Sequence, residues 1–214
     1  MVNLIPTKAE WNKALSARYG EELQKKFSLA TVAICGLGGL GSNIAISLAR
    51  AGIGKLILID FDRVDITNLH RQQYKADQIG KLKTEALSEN LKEIVPYVDL
   101  EIHTIRVTEE NAGELLKDAD IICEAFDNAE CKAMLTNLVL EVMPEKCLVA
   151  ASGMAGLGSA NTIKTRKITR RFYLCGDEIS DVEEAGSLVS SRVMLCAAHQ
   201  AHAVLRILTE QFDT

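Results

Sequence analysis

A glycine-rich stretch, Gly36-Leu-Gly-Gly-Leu-Gly41, has the form GxGxxG and follows a short apolar run, Thr31–Cys35. Glycines there permit a tight turn and close backbone approach. A helix starting at the turn presents unpaired N–H groups and a positive dipole end to phosphate. Asp60 closes the next apolar run, nineteen residues after Gly41, where an acid can bind ribose hydroxyls. These features point to a nucleotide site and leave open whether the nucleotide is a dinucleotide redox cofactor or ATP.

The residues after Asp60 carry more information. Asp60-Phe-Asp62-Arg-Val-Asp65-Ile-Thr-Asn68-Leu-His-Arg71-Gln72 packs carboxylates, an amide and a guanidinium into thirteen residues. A nicotinamide cofactor needs no such crowd. A polyphosphate does, because Arg71 can clamp it bidentately and carboxylates can hold Mg²⁺. Lys83 comes next, and Asp127-Asn128 lies just past another apolar run, Ala119–Glu124. In an open α/β sheet the ligand crevice lies beyond the carboxyl ends of the strands, so Gly36–Gly41, Asp60 and Asp127 are expected to converge there.

Other residues able to do chemistry give weaker patterns. The six cysteines (35, 123, 131, 147, 175 and 196) contain no CxxC pair, which argues against a zinc knuckle or a dithiol redox motif. Cys196, His199 and His202 recur every three residues rather than at the i, i+4 spacing usual for helical metal pairs. They read as packing residues, and Cys175 reads as structural. Lys164–Arg171 holds five basic residues in eight, a pattern typical of a solvated strand edge and also able to dock an acidic carrier face.

The elements that must position these residues alternate. Thr7-Lys-Ala-Glu10 has the capping-box form and predicts a helix over Lys8–Lys26. Strands are expected at Thr31–Cys35, Lys55–Asp60, Asp99–Ile105, Ala119–Glu124 and Lys146–Ala151, with helices at Leu40–Arg50, Gly80–Ile94, Glu110–Lys117 and Asn128–Met143 between them. This order predicts an α/β, Rossmann-like, doubly wound and mostly parallel sheet with helices on both faces. Ala160–Lys164 and Arg170–Leu174 predict an antiparallel extension toward the C-terminus, followed by an acidic loop over Cys175–Gly186 and a last helix over Val189–Gln211. Residues 1–27 read as an N-terminal arm and 28–214 as one domain. The 24 Lys and Arg against 29 Asp and Glu give a net charge of −5, which speaks against a dedicated nucleic-acid binder. No apolar run has membrane-spanning length and no export signal is read, so a cytoplasmic protein is expected.

The set GLGGLGS, Asp60-Phe-Asp62, Asn68-Leu-His-Arg71-Gln72, Lys83 and Asp127-Asn128 resembles the adenylating domain of the ThiF/MoeB family, which is related to ubiquitin-activating enzymes. The chain is most similar to a compact ThiF subgroup that serves thiazole synthesis for thiamine. The resemblance implies an enzyme that uses Mg·ATP to adenylate the C-terminal glycine carboxylate of a ubiquitin-like sulfur carrier protein ending in Gly-Gly, for later thiocarboxylate formation. By matching position, Gly36, Gly38, Gly39 and Gly41 would cradle phosphate and Asp60 would hold the ribose, with Asp62 beside it. Asn68, Arg71, Gln72 and Lys83 would grip the phosphates, and Asp127 would hold Mg²⁺. The family also implies a homodimer in which an N-terminal arginine, here Arg18, reaches the site. Its paired CxxC zinc ligands are missing from this sequence, so no zinc is expected. Two other readings stay open: an NAD-dependent Rossmann oxidoreductase and a non-catalytic nucleotide-binding partner subunit.

Overall fold

The computed structural model describes residues 5–211. Seven strands form one sheet: β1 (Thr31–Cys35), β2 (Lys55–Ile59), β3 (Asp99–His103), β4 (Ile121–Glu124), β5 (Cys147–Ala151), β6 (Lys164–Lys167) and β7 (Phe172–Gly176). Their order across the sheet is β3-β2-β1-β4-β5-β7-β6. All neighbours are parallel except β6, which runs antiparallel to β7. The order reverses between β1 and β4, the switch point at which open sheets of this kind leave a crevice.

Helices cover both faces. They are α1 (Lys8–Tyr19), α2 (Glu21–Leu29), α3 (Gly39–Ala51), α4 (Lys83–Ile94), α5 (Glu109–Leu116), α6 (Ala129–Val142), α7 (Val182–Ala185) and α8 (Ser190–Leu208). The apolar runs of the central strands are buried on both sides because successive side chains alternate between faces. Val32, Ile34, Leu56, Leu58, Ile121 and Cys123 join α3, α4 and α8 in one core. Ala33, Cys35, Ile57, Ile59 and Ile122 join α5 and α6 in the other. The helix α8 lies against α3, and its Ala197, Ala201 and Val204 are buried in the first of these cores.

The predicted architecture is present, and its boundaries differ where backbone geometry intervenes. The single N-terminal helix is two, because Gly20 sits at φ +84° and breaks it. The helix expected from Gly80 begins at Lys83, since Gly80 has φ +87° and Leu82 is extended. The strand expected over Ala160–Lys164 is displaced to Lys164–Lys167. A 3-10 turn occupies Ala160–Thr162, where the Ser159 hydroxyl accepts the Asn161 N–H and Arg192 donates to the carbonyls of Gly158 and Ser159. The acidic loop contains a turn of helix, α7, capped by Asp181. Among the described residues no helix is long and apolar enough to cross a membrane.

Candidate functional site

A cavity of about 660 Å³ opens beyond the carboxyl ends of β1, β2, β4 and β5. Gly36 leaves β1 at φ +92°, and a Cβ there would stand 2.8 Å from the carbonyl oxygen of Ala125. The turn then runs directly into α3, whose cap, Gly38, makes no side-chain hydrogen bond. Gly38, Gly39 and Leu40 line the cavity, so the free N–H groups and positive dipole end of α3 face its interior. Gly41 is buried and does not line the cavity. A Cβ on it would fall 1.8 Å from the Gly36 carbonyl oxygen, so this glycine lets α3 pack on β1, and of the four glycines expected to cradle phosphate the other three line the cavity.

Asp60 ends β2 and is buried, with both carboxylate oxygens engaged. One accepts the Leu37 N–H at 2.6 Å and the other the Asp62 N–H at 2.8 Å. The Tyr74 hydroxyl donates to the Leu37 carbonyl at 2.7 Å, so the glycine-rich turn is held from both sides of one residue. Asp62 pairs with Lys83, the first residue of α4, at 2.9 Å, and the lysine is buried. Asn68 turns back to accept the Asp65 N–H, closing the short turn that carries Arg71 and Gln72. Asn43 on α3 ties that turn to the glycine loop, donating to the carbonyls of Gly39 and Arg71.

Two buried polar atoms in this turn, Arg71 Nε and Gln72 Oε1, have no hydrogen-bond partner among the described residues. Buried polar atoms are rarely left orphaned in a folded protein, and here both belong to residues lining an open cavity, which marks a place for a polar ligand. Asp127 stands opposite, exposed between β4 and α6, and Asn128 caps α6 by accepting the Cys131 N–H. Gly36, Gly38, Gly39, Asp60, Asp62, Asn68, Arg71, Gln72, Lys83 and Asp127 thus line one cavity. Mg²⁺ is commonly held by one or two carboxylates with phosphate oxygens and water completing the shell, and an exposed Asp127 lining this cavity fits that donor set. Arg18 lies on α1 and does not line the cavity.

The cavity also has walls that no sequence motif names. Phe61 and Arg106 stack beside Asp60, the guanidinium carbon 4.4 Å from the ring centroid. Lys132 of α6 lines the β4 side and binds the buried Glu124 at 2.9 and 3.0 Å. A signal for it exists in the sequence, since a carboxylate ending the otherwise apolar strand Ile121–Glu124 requires a cation. The far wall is formed by Ser152–Ala155 and Ser180–Val182, which bring backbone, Met154 and the carboxylate residue Asp181 to the cavity. Burial pushes the thiols of Cys175 and Cys196 up to about 12, so neither is a ready nucleophile. His199 is engaged by the Thr165 hydroxyl at 2.9 Å. Among the described residues no group of three or more His, Cys, Asp or Glu side chains could hold a metal ion.

Comparison with known proteins agrees with this geometry. Residues 12–213 match the model of the ThiF family. The chain is 36% identical over 121 residues to the adenylyltransferase and sulfurtransferase MOCS3 of Caenorhabditis briggsae, covering 56% of this chain and 30% of that protein. It is 36% identical over 110 residues to a sulfur carrier protein adenylyltransferase of Thermus thermophilus, covering 51% and 41%. The matched segments thus span less than half the length of these two relatives. Among solved structures, the E. coli tRNA N6-threonylcarbamoyladenosine dehydratase TcdA in complex with ATP superposes with a TM-score of 0.85 at 21% identity, over 97% of this chain and 98% of that one. With a family match over nearly its whole length, the chain belongs to the ThiF family.

Proposed function

We propose that this chain is an ATP-dependent adenylyltransferase acting on the C-terminal glycine carboxylate of a ubiquitin-like sulfur carrier protein, the step that precedes thiocarboxylate formation in thiazole synthesis for thiamine. The observation that carries the reading is the orphaned pair, Arg71 Nε and Gln72 Oε1, set between an uncapped helix N-terminus and an exposed carboxylate. That arrangement serves a triphosphate. A redox dinucleotide would use the glycine turn and Asp60 and leave Arg71, Lys83 and Asp127 without work. A non-catalytic nucleotide-binding subunit has no need of the complete polar set.

In this reading the triphosphate lies against Gly36–Gly39, with Asp60 toward the ribose and the stacked planes of Phe61 and Arg106 beside the base. Arg71 and Lys83 bind phosphate oxygens, and Gln72 and Asn68 supply amide groups at the same turn. When bound, Mg²⁺ on Asp127 supplies positive charge to the phosphates. A carboxylate oxygen of the carrier's last glycine attacks the α-phosphorus, the bond to the bridging oxygen breaks, and pyrophosphate leaves with its charge held by Arg71 and Lys83. The attacking carboxylate is already ionised, so no protein base is needed; catalysis is positioning and electrostatics. A homodimer that brings Arg18 of a second copy to the site is part of the same proposal.

Carrier-dependent ATP–pyrophosphate exchange tests it. Exchange that requires both Mg²⁺ and a carrier ending in Gly-Gly is the expected result. Tight NADH binding with no exchange on any carrier sinks the reading, and exchange that instead requires modified tRNA redirects it to a nucleic-acid carboxylate.

A further inference from the structure

We infer that the buried Glu124–Lys132 pair is a positioning element for this site, fixing the turn that carries Asp127 against the wall by which an acyl substrate enters; the inference rests on the adenylation reading above. The pair is asymmetric: the Glu124 side chain is 1% exposed and that of Lys132 26%. Lys132 Nζ meets both carboxylate oxygens, at 2.9 and 3.0 Å, and also donates to the Ala151 carbonyl at 3.1 Å. Glu124 Oε1 in turn accepts the Phe126 N–H at 2.7 Å. One ammonium therefore joins the end of β4, the first turn of α6 and the end of β5.

The chain just beyond both strand ends is cavity wall. After Glu124 come Phe126 and Asp127, and after Ala151 come Ser152 and Gly153, all of which line the cavity. The backbone of this junction is pinned from behind as well. Gln200 of α8 donates to the Glu124 carbonyl at 2.9 Å and to the Val149 carbonyl at 3.2 Å. Burial pushes the Glu124 carboxyl above its ordinary range, and Lys132 and the Phe126 N–H oppose that push. A buried charge of this kind is stable only while its partner stays in place. Neither residue need touch a substrate. Lys132 sets the spacing between the carboxylate of Asp127 on one side and the Ser152–Gly153 backbone on the other, and in-line attack is sensitive to displacements of about 1 Å.

Lys132→Met alone strands a buried carboxylate, so the decisive variant is the double change Glu124→Gln with Lys132→Met, which removes both charges. The charge-conserving Lys132→Arg is its companion. Thermal unfolding, ATP affinity with and without Mg²⁺, and exchange kinetics are measured on each. Positioning predicts a folded double variant whose kcat for exchange falls at least thirtyfold while its affinity for ATP in the absence of Mg²⁺ stays within threefold. It also predicts that the Mg²⁺-dependent gain in ATP affinity falls about tenfold, and that Lys132→Arg restores most of both. A folded double variant with kcat and Mg²⁺ dependence both near wild type overturns the inference, as does a Lys132→Arg variant no better than the double. If the double variant does not fold, the Lys132→Arg result decides alone, on kcat and Mg²⁺ dependence. Absence of exchange in the wild-type protein counts against the adenylation reading only, because the Mg²⁺ dependence of ATP binding still tests the geometry.

Discussion

Replacing Gly41 and Gly113 by alanine makes the same chemical change in two helices, and the structure gives the two opposite signs. Alanine is favoured over glycine inside a helix by about 1 kcal/mol. Gly113 in α5 has open space where its Cβ would stand, so Gly113→Ala keeps that gain, stabilising by ~0.5–1 kcal/mol. At Gly41 the new Cβ would lie 1.8 Å from the Gly36 carbonyl oxygen and 3.1 Å from Ile34 Cγ2. The first neighbour is backbone and cannot rotate away, so α3 must lift from β1. Overpacking of a tight interior costs about 1–3 kcal/mol, and a contact this short takes the upper end. Offset by the helical gain, about 2 kcal/mol remains against folding. For a chain of this length that is a fall in Tm of ~4–8 °C, against a rise of ~1–4 °C for Gly113→Ala. Thermal unfolding followed by circular dichroism reads both. A Gly41→Ala protein unfolding at or above the wild-type temperature would show that this glycine is not a packing requirement, and would return it to the group that faces the ligand.

Three further outcomes are expected of the site and its surroundings. Asp127→Ala should lower exchange a hundredfold or more, about 3 kcal/mol of lost transition-state stabilisation, with an unchanged Tm because the side chain is exposed; near-normal turnover removes Asp127 from the site. Cys175→Ala should leave exchange and delivery of activated carrier intact, since a thiol raised to about 12 by burial is ionised in on the order of one molecule in a hundred thousand near neutral pH; a carrier trapped on Cys175 as a hydroxylamine-sensitive adduct contradicts this. His199 has its pKa lowered by burial and then by His202, so its neutral form contributes stability that is complete above about pH 6.5 and is lost as pH falls through the lower folded value. Urea midpoints measured from about pH 8 to 5 should accordingly drop less steeply in His199→Gln than in wild type.

Residues whose spacing is short and local are the most legible in the sequence. The turn Gly36–Gly39, Asp60 at a strand end, and Arg71 and Gln72 in a polar run announce themselves because glycine and charge are conspicuous beside apolar strands. The same local spacing misplaces Gly41, whose duty is set by the depth at which α3 meets β1, a tertiary distance that no motif encodes. Apolar spacing continues across Gly20 and so predicts one N-terminal helix, whereas the positive φ there is a property of the folded backbone. Lys132 is hard to find because its partner lies eight residues upstream on a strand, so the pairing crosses from β4 to α6. The Ser152–Ala155 and Ser180–Val182 wall is hard to read because its one carboxylate, Asp181, stands in the sequence among the other acids of the loop that ends at Gly186.

The charges around the cavity are arranged so that its cations are held in place before any ligand arrives. Lys83 is paired with Asp62, Lys132 with Glu124, and Arg71 is braced on the Thr67 carbonyl at 3.1 Å. These partners fix the side chains without exhausting them. An ammonium has three donors, and Asp62 is the one hydrogen-bond acceptor of Lys83 among the described residues, so a phosphate oxygen can be added with no contact surrendered. The same pairing limits the pull on an anion. The lining carries five cationic side chains, Arg63, Arg71, Lys83, Arg106 and Lys132, against five aspartates, 60, 62, 65, 127 and 181. A fully ionised triphosphate would therefore enter a lining with no net positive side-chain charge, attracted by the α3 terminus and by directed donors rather than by a surplus of cations. Such a site favours a nucleotide whose charge is already partly neutralised, which is the physical reason to expect ATP with its divalent ion on the side where Asp127 stands without a hydrogen-bond or ion-pair partner among the described residues.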